Sequence, residues 1–236
     1  MTDRTVAQAA QAQAQDPTHD GDLRPDLAVL GMVAYLQLAE FSRLAADAGL
    51  APTLAQRLEL SGMARGALDR LDRVTARVEE LGGGLEGAMG PYAGVLVEFD
   101  TRTVPSTWWE RLLKAYVGYG VADDFCRMLA QAASPVTRAL VEDVLDDEAH
   151  SRLVVDALAG AVAEDATLAS RLALWGRRLV GEALNAAQAV LADHADMRSL
   201  LASAMAEHAA VDPQQKLFAM LTAEHSRRMD RLGLAA

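Results

Sequence analysis

Not one of the 236 residues is isoleucine, and aromatic residues make up only 5% of the chain. β-Branched and aromatic side chains are what a pleated sheet packs best, whereas alanine, leucine and arginine, which dominate here, lose little on entering a helix. The fold class this dictates is all-α. With 51% of its residues hydrophobic, the chain can bury one sizeable core or at most two small ones, and a single domain is the expectation.

Charge narrows the function classes. Aspartate and glutamate outnumber lysine and arginine by 33 to 22. Lys114 and Lys216 are the only lysines, so the sequence carries no strong nucleic-acid signal of the clustered basic kind. A lone cysteine, Cys126, excludes an intrachain disulfide framework. The opening stretch MTDRTVAQAAQAQAQDPTHDGD lacks the apolar run of a signal peptide, and no window reads as a membrane span; the expectation is a cytoplasmic protein without a membrane partner. Residues 1–23 are too polar to bury surface and are expected to form a disordered tail, which leaves 24–236 as the folded domain. A homo-oligomer is compatible with all of this.

Proline, glycine and capping residues divide the remainder into helical segments. The first runs from Pro25 to Ala48, and the second from near Pro52 to the triplet Gly82 to Gly84. The third opens on Thr107 and Glu110 at capping-box spacing and ends near Pro135. The fourth continues to about Glu164, and the fifth covers roughly Leu168 to His194. The stretch DMRSLLASAMAEHAAV is expected to be helical too, and a last helix runs from Pro213 to Leu232. Segments one and three echo each other: AEFSRLAADAGLAP (Ala39 to Pro52) and DDFCRMLAQAASP (Asp123 to Pro135) share an acid, a phenylalanine, an arginine, small residues and a proline. That echo implies two αα-hairpins related by a pseudo-twofold axis.

Within these segments some acids fall on stripes that should be apolar. VLDDEAHSRL (Val144 to Leu153) sets Asp146, Asp147, Glu148 and His150 into what reads as a core helix. Heptad spacing gives that helix the seam Val136, Leu140, Asp143, Asp147, His150, Val154 and Leu158. In segment three the seam Trp109, Leu112, Tyr116, Tyr119, Asp123, Cys126, Ala130 and Ala133 turns Asp123 inward and leaves Asp124 off it. Glu40 shares a stripe with Val33, Gln37 and Leu44. Three helices therefore each send an acid inward, and a buried carboxylate needs a metal, an arginine or a shared proton. Asp147 and His150, three residues apart, can reach one metal from a single helix face. An isolated Asp-x-x-His is more commonly a solvated face. Glu182, beside Arg177 and Arg178, reads as a structural ion-pair partner, and His225 as core or interface.

Taken together, LAEFSRLAADAGLAPTLAQRL, PSTWWERLLKAYVGYGVADDF, VLDDEAH, LWGRRLVGEAL and LTAEHSRRM resemble the ferritin-like proteins of the MiaE-like family. These are related to tRNA hydroxylases that use a di-iron site and dioxygen on a 2-methylthio-isopentenyl-adenosine. The resemblance implies a ferritin-like four-helix bundle of two αα-hairpins with additional C-terminal helices. It implies iron as the cofactor and Glu40, Asp123 (or Asp124), Asp147 and His150 as its ligands. The pattern breaks on the second helix, where the family expects Glu-x-x-His and SGMARGALDRLDRV supplies Ala67 and Arg70. A guanidinium holds carboxylates well and repels a neighbouring iron, so Arg70 reads as a cation substituting for the metal. Two functions follow. One is a non-catalytic binding or association protein built on a degenerate metal site. The alternative is a di-iron or reduced-ligand oxidase or hydroxylase that depends on iron, with tRNA among its candidate substrates.

Overall fold

Side-chain caps set where the helices start. The Thr53 hydroxyl accepts the Gln56 amide at 3.2 Å, Thr107 accepts that of Glu110 at 3.2 Å, and Asp165 takes both Thr167 and Leu168 at 2.8 and 3.0 Å. Each satisfies amides that a helix N-terminus leaves without an internal partner. Glu110 completes its turn differently from a capping box: its carboxylate accepts from the Ser106 amide and hydroxyl at 2.7 and 2.6 Å, one residue earlier than expected.

The computed structural model describes residues 23–146, 148–206 and 212–236, with the backbone alone for 148–150. In chain order the helices are α1 (Arg24–Leu50), α2 (Leu54–Glu80), α3 (Leu85–Met89), α4 (Val97–Arg102), α5 (Trp108–Leu113) and α6 (Tyr119–Ala130). They continue with α7 (Pro135–Val144), α8 (Glu148–Glu164), α9 (Ala166–Asp193), α10 (Ala195–Ala204) and α11 (Pro213–Arg231). No strand occurs among the described residues. The expected tail falls almost wholly on residues outside this description.

α1 and α2 form the first hairpin, joined by Ala51 to Thr53. A π-helical turn, Lys114–Gly118, joins α5 to α6 without a break, and this long rod forms the second hairpin with α7 and α8. The core runs between them: Val29, Leu30 and Val33 from α1, Val74 and Val78 from α2, and Phe125, Cys126 and Leu129 from α6 are 0–2% exposed. α9 to α11 then close the side of the bundle, α9 against α4, α5, α6 and α8, and α11 against α6 and α9. α1 is long and apolar enough to cross a membrane by length and composition, contrary to expectation, but 56% of its most apolar window is buried inside the bundle. Its hydrophobicity serves the core.

The fourth segment differs most from the heptad reading. It is two helices, interrupted after Val144. Its buried stripe is Thr137, Val141 and Val144, resuming at Val154 and Leu158, while Val136 is 60% exposed. Asp143, placed on the seam by spacing, lies outside and pairs with Arg73. The reason is the interruption: the heptad phase that suits Val154 and Leu158 does not carry back across the helix break to Val136 and Asp143. The free carbonyl of Leu145 at that break accepts a hydrogen bond from the Arg127 guanidinium, which satisfies an otherwise orphaned helix C-terminus.

Candidate binding cleft

α1, α6, α11 and the end of α7 enclose a cavity of about 270 Å³. Its wall is polar. α1 contributes Glu40 and Arg43, α6 contributes Asp123, Asp124 and Arg127, and α11 contributes Arg228.

Both acids of the pair 123–124 reach this wall, and the more buried one is not the one the seam indicated. Asp124 is 7% exposed, whereas Asp123 is half-buried. Beyond the π turn the seam still holds for Cys126 and Ala130, both 0% exposed, and Asp123 and Asp124 both face the cavity from its polar edge. Asp124 is clasped from two sides, by Arg127 Nη1 at 3.0 Å and by Arg228 Nη1 at 2.7 Å. The Arg228 contact is an ion pair whose N–H does not line up with the carboxylate oxygen. Gly120 makes room for it: a Cβ there would lie 2.7 Å from Arg228 Nε.

Arg70 reaches the same region from α2. Its Nε donates to Gln37 Oε1 at 2.7 Å and its Nη2 to Glu40 Oε2 at 3.0 Å. Gln37 is 2% exposed, and Ala67, one turn before Arg70, is fully buried at 0%. The second-helix position that faces inward therefore carries a methyl group, and the next one carries a cation bonded to the first-helix acid.

Arg43 and Asp123, both in the wall, have no such partner among the described residues. The Arg43 guanidinium lies over the Tyr119 ring, 4.4 Å from its centroid, and its buried Nε and Nη1 make no hydrogen bond. Tyr119 is itself fixed, donating from its hydroxyl to Asp100 Oδ1 at 2.5 Å. Asp123 has no hydrogen-bonding partner among the described residues either; burial, then the charges of Glu40 and Asp124, push its carboxyl up to about 7 against the pull of Arg127 and Arg228. Behind the wall His225 is 2% exposed with both ring nitrogens unpartnered, and burial, followed by the Arg228 charge, drives it down to about 4. It is a neutral core histidine.

Of the residues expected to hold iron, Glu40 and Asp123 line one cavity; Asp147 and the side chain of His150 lie outside the described residues. Among the described residues no group of three or more His, Cys, Asp or Glu is placed to hold a metal ion. Glu40 is engaged by Arg70, Asp124 by Arg127 and Arg228, and Ala67 offers no donor atom, so these residues do not fit a di-iron centre. Glu182 pairs with Arg102, at a loose 3.5 Å, from across α4. The seam reading passed over Arg43, Arg127 and Arg228. A signal for the first two was present: the internal echo aligns Glu40-Phe41-Ser42-Arg43 with Asp124-Phe125-Cys126-Arg127, and all four charged members line this cavity.

A bundle of two hairpins whose central polar site is built from facing helices defines the ferritin-like class. Residues 24–204 match the family described as a ferritin-like domain of actinomycetes, and the chain belongs to that family. None of the curated proteins matches the chain.

Proposed function

We propose that this is a metal-independent ferritin-like binding protein, in which arginine–carboxylate pairs stand where the fold's metal site would be and the space between them is a ligand cleft. The observation that carries this reading is the Arg70 guanidinium bonded to Gln37 and Glu40. A buried carboxylate must be neutralised by something, and a permanent cation does so without a metal while opposing the approach of one. The MiaE-like resemblance fits a relative that kept the bundle and gave up the di-iron chemistry. The hydroxylase reading has one observation on its side: Glu40 and Asp123 share a cavity.

Metal analysis separates the two. Protein purified from iron-supplemented cells should carry iron well below one ion per chain. The double change Ala67→Glu with Arg70→His, which rebuilds a Glu-x-x-His pair on α2, should raise it. Stoichiometric iron in the unaltered protein would overturn the proposal.

A further inference from the structure

The cleft neutralises most of its own charge. Glu40 is bonded to Arg70, Asp124 to Arg127 and Arg228, and Glu224 turns to Arg227. Among the described residues, the lining groups left without an ion pair are Arg43 (whose charge also reaches Asp47), Arg231, Asp123 and Asp146; Arg43 and Asp123 are the pair on the facing helices α1 and α6. Arg43 and Asp123 line the same cavity yet form no ion pair with each other within 4.0 Å. Stacking on Tyr119 fixes the plane of the Arg43 guanidinium and leaves its nitrogens without acceptors, two of them sealed from water. Nε and Nη1 are closed to a ligand as well, which leaves Nη2 of this fixed guanidinium as the donor to an oxyanion. Asp123 is crowded by Glu40 and Asp124, and an ammonium beside it would relieve that repulsion.

From this juxtaposition we infer that the cleft takes a small zwitterion, its carboxylate on Arg43 and its ammonium on Asp123. The inference rests on the metal-independent reading above. A simple anion would meet the carboxylates of Glu40, Asp123 and Asp146, and a simple cation the guanidiniums of Arg43, Arg127, Arg228 and Arg231; a molecule with one charge of each sign meets an open group of each sign. The volume, about 270 Å³, lies just below the range of about 300–1,000 Å³ usual for drug-sized ligands, which suits a molecule of amino-acid size.

Calorimetric titration of the full chain with glycine, β-alanine and 4-aminobutyrate, which span three ammonium-to-carboxylate separations, tests it against acetate, methylammonium and inorganic phosphate. At least one zwitterion should bind more tightly than all three single-charge probes. Arg43→Gln and Asp123→Asn should each weaken that binding about tenfold or more, as expected for a lost charge-assisted hydrogen bond. Asp123→Asn also separates binding from folding, because removing a crowded carboxylate should leave the melting temperature at or above that of the unaltered protein while affinity falls. Arg43→Lys, which keeps the charge without the planar fork, should bind more weakly than the unaltered protein and more tightly than Arg43→Gln. If none of the three zwitterions binds, or if phosphate, acetate or methylammonium binds as tightly, the inference is overturned. Iron measured on the same sample keeps the two failures apart: stoichiometric metal removes the underlying reading, whereas metal-free protein that binds no zwitterion removes only this inference.

Discussion

Asp26 and Asp123 are the same side chain in two different surroundings. At the start of α1, Asp26 receives the Ser134 amide at 2.8 Å, the Ser134 hydroxyl and the Thr137 hydroxyl at 2.6 Å, with Arg77 at 3.9 Å. Burial alone would raise its pKa; the bonds from Ser134 and Thr137 and the charge of Arg77 outweigh it and hold the carboxyl below the usual range. Asp123 is crowded by acids and receives no such bonds, and burial wins. A carboxylate with its lone pairs filled ties two helices together. One left open is a liability to the fold, and such liabilities gather where a protein meets ligands.

The contrast can be broken at several points, most severely at Asp124. Asp124→Ala should cost about 3–5 kcal/mol by urea denaturation, because it leaves the buried Arg228 without its anion and Arg127 with only the Leu145 carbonyl. A loss below 1 kcal/mol would show that water already solvates them. Asp26→Ala should cost about 2–3 kcal/mol, from the donors of Ser134 and Thr137 left unsatisfied. Because its folded pKa is depressed, the contribution of Asp26 is present above the unfolded carboxylate value of about 3.9 and is lost as pH falls through the folded one. The variant should therefore show a shallower fall in stability below about pH 4 than the unaltered protein.

Gly120→Ala should cost about 1–3 kcal/mol by displacing the Arg228 head from Asp124. Combined with Asp124→Ala, its effect should be much less than additive, since both changes break one ion pair. The smallest effect is that of Asp123→Asn, a gain of about 1 kcal/mol at pH 8. The sign follows from a folded pKa above the unfolded one: the penalty of the charged form is complete above about 7 and fades as pH falls towards the unfolded value. His225 works in the other direction. Its folded value of about 4 lies under the unfolded 6.5, so stability is lost as pH drops from 6.5 towards 4. Melting curves between pH 8 and 4 should be flattened by this opposition in the unaltered protein and fall monotonically below pH 6.5 in Asp123→Asn.

The helices were legible in the sequence because caps, prolines and glycines act locally: Pro25, Thr107 and Pro135 mark starts that the structure keeps to within a residue. Facing was less legible where a helix is interrupted. Helical phase is an integral along the chain, so the phase that suits Val154 and Leu158 fails when carried back across the break after Val144 to Val136 and Asp143. Past the π turn at Lys114 to Gly118, by contrast, Cys126 and Ala130 keep the core face and Asp123 reaches the cavity beside Asp124. What spacing could not supply at all is the counterion. Arg127 is three residues from Asp124, but Arg228 arrives from a different helix. Only the fold reveals that a glycine at position 120 holds its place.

That arrival has a consequence for biosynthesis. α11 lies beyond the stretch that matches the family, and Arg228 follows Asp124 by roughly a hundred residues, some 5–20 s of synthesis at about 5–20 residues per second. Through that interval a nascent chain that has already made both hairpins holds Asp124 with one guanidinium instead of two. Gly176, against which Met229 closes, is likewise uncovered. The cleft is thus the last part of the molecule to be walled, and a chain paused before α11 presents Asp124 on a side still open, without Arg228 and Arg231.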